Sequence, residues 1–264
     1  MLRFYLEVAR TAFRRQLIYR WANLAGLSAN VFFAIIFSYV IIALYHARPA
    51  VAGYDVRDTL RYSWLMQALL MIVLPFSWND LMQTIRTGDV VSDLSKPCDF
   101  YIYWFSREMG RNVYYMLFRG LPTYAVGMLL FQLGIPLSWQ SWLVFALVLP
   151  VGSMLGIAYR ILYNVVAFWI IEARAMMTFA ITIAQFLTGM YVPIPLLPAW
   201  LQGIVDWLPF HGFMDLPVEV LLGKIAGGVL AFDVLRQLGW LLVLTLGVQL
   251  LTGVAKQRVI AQGG

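Results

Sequence analysis

The stretch LAGLSANVFFAIIFSYVIIALY, residues 24–45, contains no charged side chain. A bilayer's hydrocarbon core is about 30 Å thick, and about 20 apolar residues in a helix cross it. Lipid offers the backbone no hydrogen-bond partners, so a stretch this continuous must be helical. Five more segments read the same way: 62–78 with Pro75 near its end, 113–134 with Arg119 and Pro122, 142–171 with Pro150 and Arg160, 175–192, and 238–255. Residues 216–232 are mildly apolar but carry Glu219, Lys224 and two adjacent glycines, and are not counted as a span. The expected fold is therefore all-α: one polytopic membrane domain, 1–264, with six transmembrane helices.

Composition agrees. Of 264 residues, 62% are hydrophobic and 12% charged, with a mean hydropathy of +0.77. Soluble domains run at about 45–50% and about 25%. That excludes soluble enzymes, disordered regulators and secreted disulfide scaffolds. Cys98 is the single cysteine, so no internal disulfide is possible. His46 and His211 lie far apart, and no Cys/His cluster has metal-ligand spacing, so no metal is expected.

Residues 1–23 carry Arg3, Arg10, Arg14, Arg15 and Arg20 and lack the apolar core of a signal peptide. Leu2, Leu6, Ala9, Phe13, Leu17 and Trp21 recur at steps of three and four. This predicts a basic amphipathic helix in the membrane interface. With that end inside, the inner parts 1–23, 79–112, 172–174 and the tail from 256 hold twelve Lys and Arg residues. The outer parts hold five: Arg48, Arg57, Arg61, Lys224 and Arg236. The excess places both termini in the cytoplasm, and the net charge of +6 suits anionic lipid.

Two connections are more than linkers. In the inner loop 79–112, Leu81 and Ile85, with Met82, make a short apolar stripe. Gly88 can end that helix in the left-handed conformation, and Pro97 stops the next turn. The outer region 193–237 opens with VPIPLLPAWLQGIVDWLPF from Val192. Pro193, Pro195 and Pro198 exclude a continuing helix there. Its apolar, Trp-rich character, with Trp200 and Trp207, predicts short re-entrant or interfacial helices before the last span.

No Walker A loop, nucleophile elbow or His-Glu-x-x-His pair is present, so no catalytic residue is expected. The predicted spans contain no Asp or Glu, and no repeat is evident; both count against a proton-coupled carrier. Arg119 lies near the inner end of its span and is expected to snorkel to the headgroups. Arg160 is deeper, with Asn164 one turn on; it either lines a path or ties two helices together. Thr178, Thr182, Gln185 and Gly189 share a helical face, which is either interhelical packing or a weakly polar cavity wall. Gln67 is a further polar candidate.

TIRTGDVVSDLSKP at 84–97, AFW at 167–169, LTGMYVPIPLLPAWLQGIVDWLPF at 187–210 and the closing AQGG at 261–264, in this order, resemble the permease subunit of a type-2 ATP-binding-cassette (ABC) exporter. The likeness covers nearly the whole chain, and it is to the bacterial subgroup that works with a separate ATPase subunit. It implies a multi-pass protein of the bacterial inner membrane that pairs with a second permease, the same chain or a sibling, above two cytoplasmic ATPase subunits. ATP and Mg would bind those partners; this chain would bind no cofactor and no nucleic acid. The loop 79–112 would hold the coupling helix, with Asp80, Leu81, Ile85, Arg86, Gly88 and Asp89 meeting the ATPase. Gln67, Thr178, Thr182, Gln185 and Arg160 would serve a path for a small molecule moved outward. Pro193, Pro195, Pro198 and Trp200 would belong to its outer gate. A membrane scaffold or assembly subunit, or a secondary transporter, is the alternative.

Overall fold

The computed structural model describes residues 1–47, 50–73, 79–134, 138–170 and 173–262, with the backbone alone at 47 and 256–262. Pro75, Arg48, the end of the fourth predicted span at 171, the final 263–264, and the side chains of Lys256 and Arg258 lie outside the described residues. The helices are α1 (Leu2–Ile18), α2 (Arg20–Ala47), α3 (Val56–Val73), α4 (Asp80–Thr87), α5 (Val90–Leu94), α6 (Phe100–Tyr115), α7 (Leu121–Phe131), α8 (Trp139–Val165), α9 (Ala173–Leu187), α10 (Ala199–Trp207), α11 (Pro209–Phe213), α12 (Asp215–Leu222) and α13 (Gly227–Gln262). The strands β1 (Ala50–Val51) and β2 (Tyr54–Asp55) form an antiparallel hairpin, with Val51 opposite Tyr54.

Among the described residues three helical stretches are long and apolar enough by themselves to cross a membrane: Arg20–His46, Trp139–Phe168 and Gly227–Ala255. The other predicted spans fall on shorter helices, of which α3 is packed most deeply into protein. α3 is the central one, touching α2, α7, α8 and α12. Tyr62, Trp64, Met66 and Val73 on it are almost fully buried. Trp64 Nε1 donates to Ser38 Oγ at 2.8 Å, a bond worth only about 0.6 kcal/mol between membrane helices. Close packing therefore does most of the work, since lipid tails are as apolar as the core itself.

Boundaries differ from expectation where the helix ends are set by contacts. The third predicted span continues α6, joined to α7 through a π-turn at Met116–Gly120. The fifth stops at Leu187, before left-handed Gly189. The last begins at Gly227 rather than 238, because Asp233 and Arg236 pair with each other at 2.5 Å and so fit inside a helix. α1 lies along α6 through Val8, Ala9, Ala12 and Phe13, while Leu2, Leu6 and Leu17 of the predicted stripe stay exposed. Arg119 does not reach outward. It is buried against Gly26 of α2, 5.4 Å from the Tyr115 ring, because the π-turn carries it to the protein side.

Candidate functional site: an anchored inner loop and a buried outer cluster

The inner loop folds as a helical hairpin. Asp80 opens α4, and Gly88 ends it with φ 83° and its N–H bonded to Ile85 O at 3.3 Å. An L side chain at that φ is strained, which is why glycine stands there. α5 follows, and Asp99 caps α6 by accepting from the Ile102 N–H at 2.8 Å.

Leu81 and Met82 point inward and are buried in two different clusters. Leu81 packs with Trp104, Ile157 and Ile161, and Met82 with Tyr163, Met177 and Ile181. Asn164 of α8 accepts the Met82 N–H at 3.1 Å, filling one of the orphan donors of the first helical turn. Ile85 is half-buried. Arg86, Thr87, Gly88 and Asp89 form the exposed tip, tied by Thr87 Oγ1 to Asp89 Oδ2 at 2.7 Å.

A chain of alternating charges fixes this hairpin to α6 and α8. Asp80 accepts from Arg107 of α6 at 2.8 Å and from Arg111 one turn on. Arg111 also pairs with Glu108 at 2.9 Å, and Glu108 pairs with Arg160 of α8 at 3.1 Å. Burial alone would raise the Asp80 carboxyl, but the guanidiniums of Arg111 and Arg107 hold it below the usual carboxylate range. Glu108, Arg111 and Arg160 are each nearly buried. An uncompensated charge at such depth is costly, so each of these residues depends on its partners. Of the two readings left open for Arg160, its position is that of a tie between α6 and α8. Glu108 is the residue that sequence reading missed. It lies outside the predicted spans, four residues before Asn112, and its only local signal is the i,i+3 spacing to Arg111.

The proposed path residues separate. Gln67 is buried within α3. Thr178 and Thr182 are exposed beside Met176, Phe179 and Phe186, their hydroxyls bonded to carbonyls of α9 itself at 3.0 and 2.9 Å. Gln185 faces the other way, buried, and accepts from the Tyr191 hydroxyl at 3.1 Å.

The outer region begins with Pro193, Pro195 and Pro198, which shape a single 3-10 turn and lead into α10. Trp200 and Trp207 are exposed on α10. α11 and α12 then turn back into the protein and lie against α8 and α3. Gly152 of α8 permits this, since a Cβ there would stand 2.7 Å from the Gly212 carbonyl. This buried return carries His211, Asp215 and Glu219 at successive four-residue steps. Tyr62 donates to Asp215 Oδ1 and lies 3.2 Å from Gly189 O. Tyr54 of the hairpin donates to Glu219 Oε1 at 3.3 Å. Lys224 pairs with Asp58 at 2.5 Å. Nothing about Asp215 or His211 stood out in sequence, because the region reads as apolar and Pro-rich.

No curated protein matches the chain. The family model of the ABC-2 family transporter proteins matches residues 30–257, from within α2 to within α13. Members of that family are membrane components of ABC transporters and are not themselves ATPases. The match, the apolar membrane-length helices and the all-helical architecture make this chain a member of the ABC-2 family, a multi-pass permease component of an ABC transporter.

Proposed function

We propose that the chain is the permease half of an ATP-driven exporter, paired with a second permease and driven through α4 and α5 by cytoplasmic ATPase subunits. One observation carries this reading: the hairpin's tip, Arg86–Asp89, is exposed, while its root is wired to α6 and α8 through Asp80, Arg111, Glu108 and Arg160. A push on the tip reaches two membrane helices as a rigid displacement. Leu81 anchors, Ile85 flanks, and Arg86, Gly88 and Asp89 meet the ATPase. In this reading both termini are cytoplasmic and the membrane is a bacterial inner membrane.

The exposed face of α9, with Thr178 and Thr182, borders the path for a small molecule. Gln185 is on the buried side of the same helix, Gln67 is buried within α3, and Arg160 is taken up by Glu108. Pro193, Pro195, Pro198 and Trp200 shape the outer gate through the rigid turn they impose before α10. ATP and Mg belong to the partner subunits.

Native mass spectrometry of the tagged chain, drawn from its own membranes in mild detergent, tests the assembly. Two permeases with two ATPase subunits are expected, and the masses separate a homodimer from a heterodimer. A chain found alone, or only with other partners, across several detergents overturns the proposal in favour of a scaffold.

A further inference from the structure

His211, Asp215 and Glu219 do more than fill the core. Their ligand atoms all lie within 4.8 Å of one another. His211 Nε2 is 3.2 Å from Asp215 Oδ2 and 3.8 Å from Glu219 Oε2. Zinc binds imidazole nitrogen and carboxylate oxygen at about 2.0–2.2 Å, so neighbouring ligands of a tetrahedral ion stand roughly 3.3–3.5 Å apart. The two spacings from His211 Nε2 lie close to that value and all three atoms fall within 4.8 Å of one another, so small side-chain shifts bring them onto three corners of such a site.

Asp215 is 1% exposed and His211 4% exposed. Among the described residues no hydrogen bond closes on Asp215 Oδ2, the oxygen that faces the imidazole. The carboxylates' other oxygens are held from behind, Asp215 Oδ1 by Tyr62 and Glu219 Oε1 by Tyr54. Hydrogen bonds of this kind orient ligands in metal sites. Charge points the same way. Arg236 is engaged by Asp233 at 2.5 Å, and Lys224 by Asp58. Two carboxylates face one imidazole, so even a protonated His211 leaves the cluster with one negative charge in excess, and a divalent cation in place of that proton balances it.

We propose that His211, Asp215 and Glu219 bind one divalent cation of the zinc type, three ligands with the fourth position open to water. This goes beyond the permease reading and does not depend on it. The ion would pin the buried return α11–α12 to α3 and to the hairpin, through Tyr62 and Tyr54. Arg236 Nη2 now lies 3.3 Å from His211 Nδ1. Metal on Nε2 places the proton on Nδ1, so Arg236 gives up that contact and keeps Asp233. Glu219, the least buried of the three, marks the entry side.

The test uses the full chain in mild detergent, stripped with a chelator and re-exchanged with Zn2+ or Co2+. Elemental analysis after gel filtration should find one zinc per chain. The Co2+ form should display the intense visible bands of a tetrahedral ion. Asp215→Asn and His211→Gln should each lower retained metal by about tenfold or more. Tyr62→Phe removes only a hydroxyl behind a ligand and should weaken binding by about 10–100-fold while the fold survives. Wild-type protein that retains no zinc, a Co2+ spectrum of octahedral type, or a Tyr62→Phe variant that binds as the wild type does, would each overturn the proposal. The wild-type spectrum and Tyr62→Phe decide the matter even where the ligand variants fail to fold.

Discussion

The two ends of the molecule each bury a network of charge, and they solve the problem differently. At the inner end two carboxylates, Asp80 and Glu108, are laced between three guanidiniums, Arg107, Arg111 and Arg160. Signs alternate, and Arg107 and Arg111 converge on Asp80 while Arg111 also reaches Glu108, which in turn faces Arg160. At the outer end Asp215 and Glu219 share one imidazole, and the nearest guanidinium is held by Asp233. The first arrangement is a strut in which guanidiniums outnumber carboxylates by three to two. In the second, carboxylates outnumber the imidazole by two to one, which is the imbalance the proposed cation would relieve. The difference teaches that a buried ion cluster should be read by its charge balance before its burial.

The sharpest way to break this comparison is to remove the carboxylate at the centre of the inner chain. Glu108→Ala leaves Arg160 and Arg111 buried without it, and should cost about 3–5 kcal/mol of stability. Thermal unfolding in detergent measures this. The doubly apolar Glu108→Leu with Arg160→Leu should recover most of the loss, since like-sized apolar pairs replace buried ion pairs well. A small effect of the single change, or no recovery in the double, would mean that the inner network is not a closed strut.

A second, smaller effect tests the strut's tip. Gly88→Val places a branched residue at φ 83° with open space around it, so the cost is backbone strain of about 1–2 kcal/mol. The fold should hold while co-purification of the ATPase partner drops. Undiminished co-purification removes the tip from the partner's contact.

The pH dependence of the strut follows from Asp80. Its carboxyl is held below its ordinary value by Arg111 and Arg107, against burial. The stability it contributes is present above the ordinary carboxylate range, about pH 3.9, and is lost as pH falls through the lower, folded value. An unfolding temperature followed across acid pH should fall in the wild type and respond less in Asp80→Asn. Parallel curves would show that the ion pair carries no such linkage.

The least effect is expected away from both networks. Thr182→Val should change stability by no more than about 0.5 kcal/mol, because its hydroxyl bonds only its own helix and the residue is exposed. A large loss would place this face of α9 in an interface that the single chain leaves open.

Much of this was legible in order along the chain, and the reasons are local. Gly88 ends α4 because a glycine after an amphipathic turn readily takes the left-handed conformation. Pro193, Pro195 and Pro198 interrupt the helix because proline lacks the N–H and fixes φ. The distance of Arg119 from the end of its span is visible in sequence and predicts snorkelling, whereas the π-turn that rotates it inward is not. The prolines make a break before short helices legible at 193–198, but the burial of α11 and α12 against α8 and α3 is not, because it depends on contacts such as that at Gly152, far away in sequence.

What the sequence by itself determined is the solvent: uncharged stretches of membrane length exclude water, and backbone chemistry in lipid then forces helices. It also determined the punctuation of those helices, because caps and prolines act within a few residues. Only the tertiary structure decided which charges meet. Glu108 finds Arg160, and Tyr62 finds Asp215, across distances in sequence at which no local preference operates. The physical reason is that a buried charge is satisfied by whatever partner the packing of helices brings to it, and packing is a property of the whole chain.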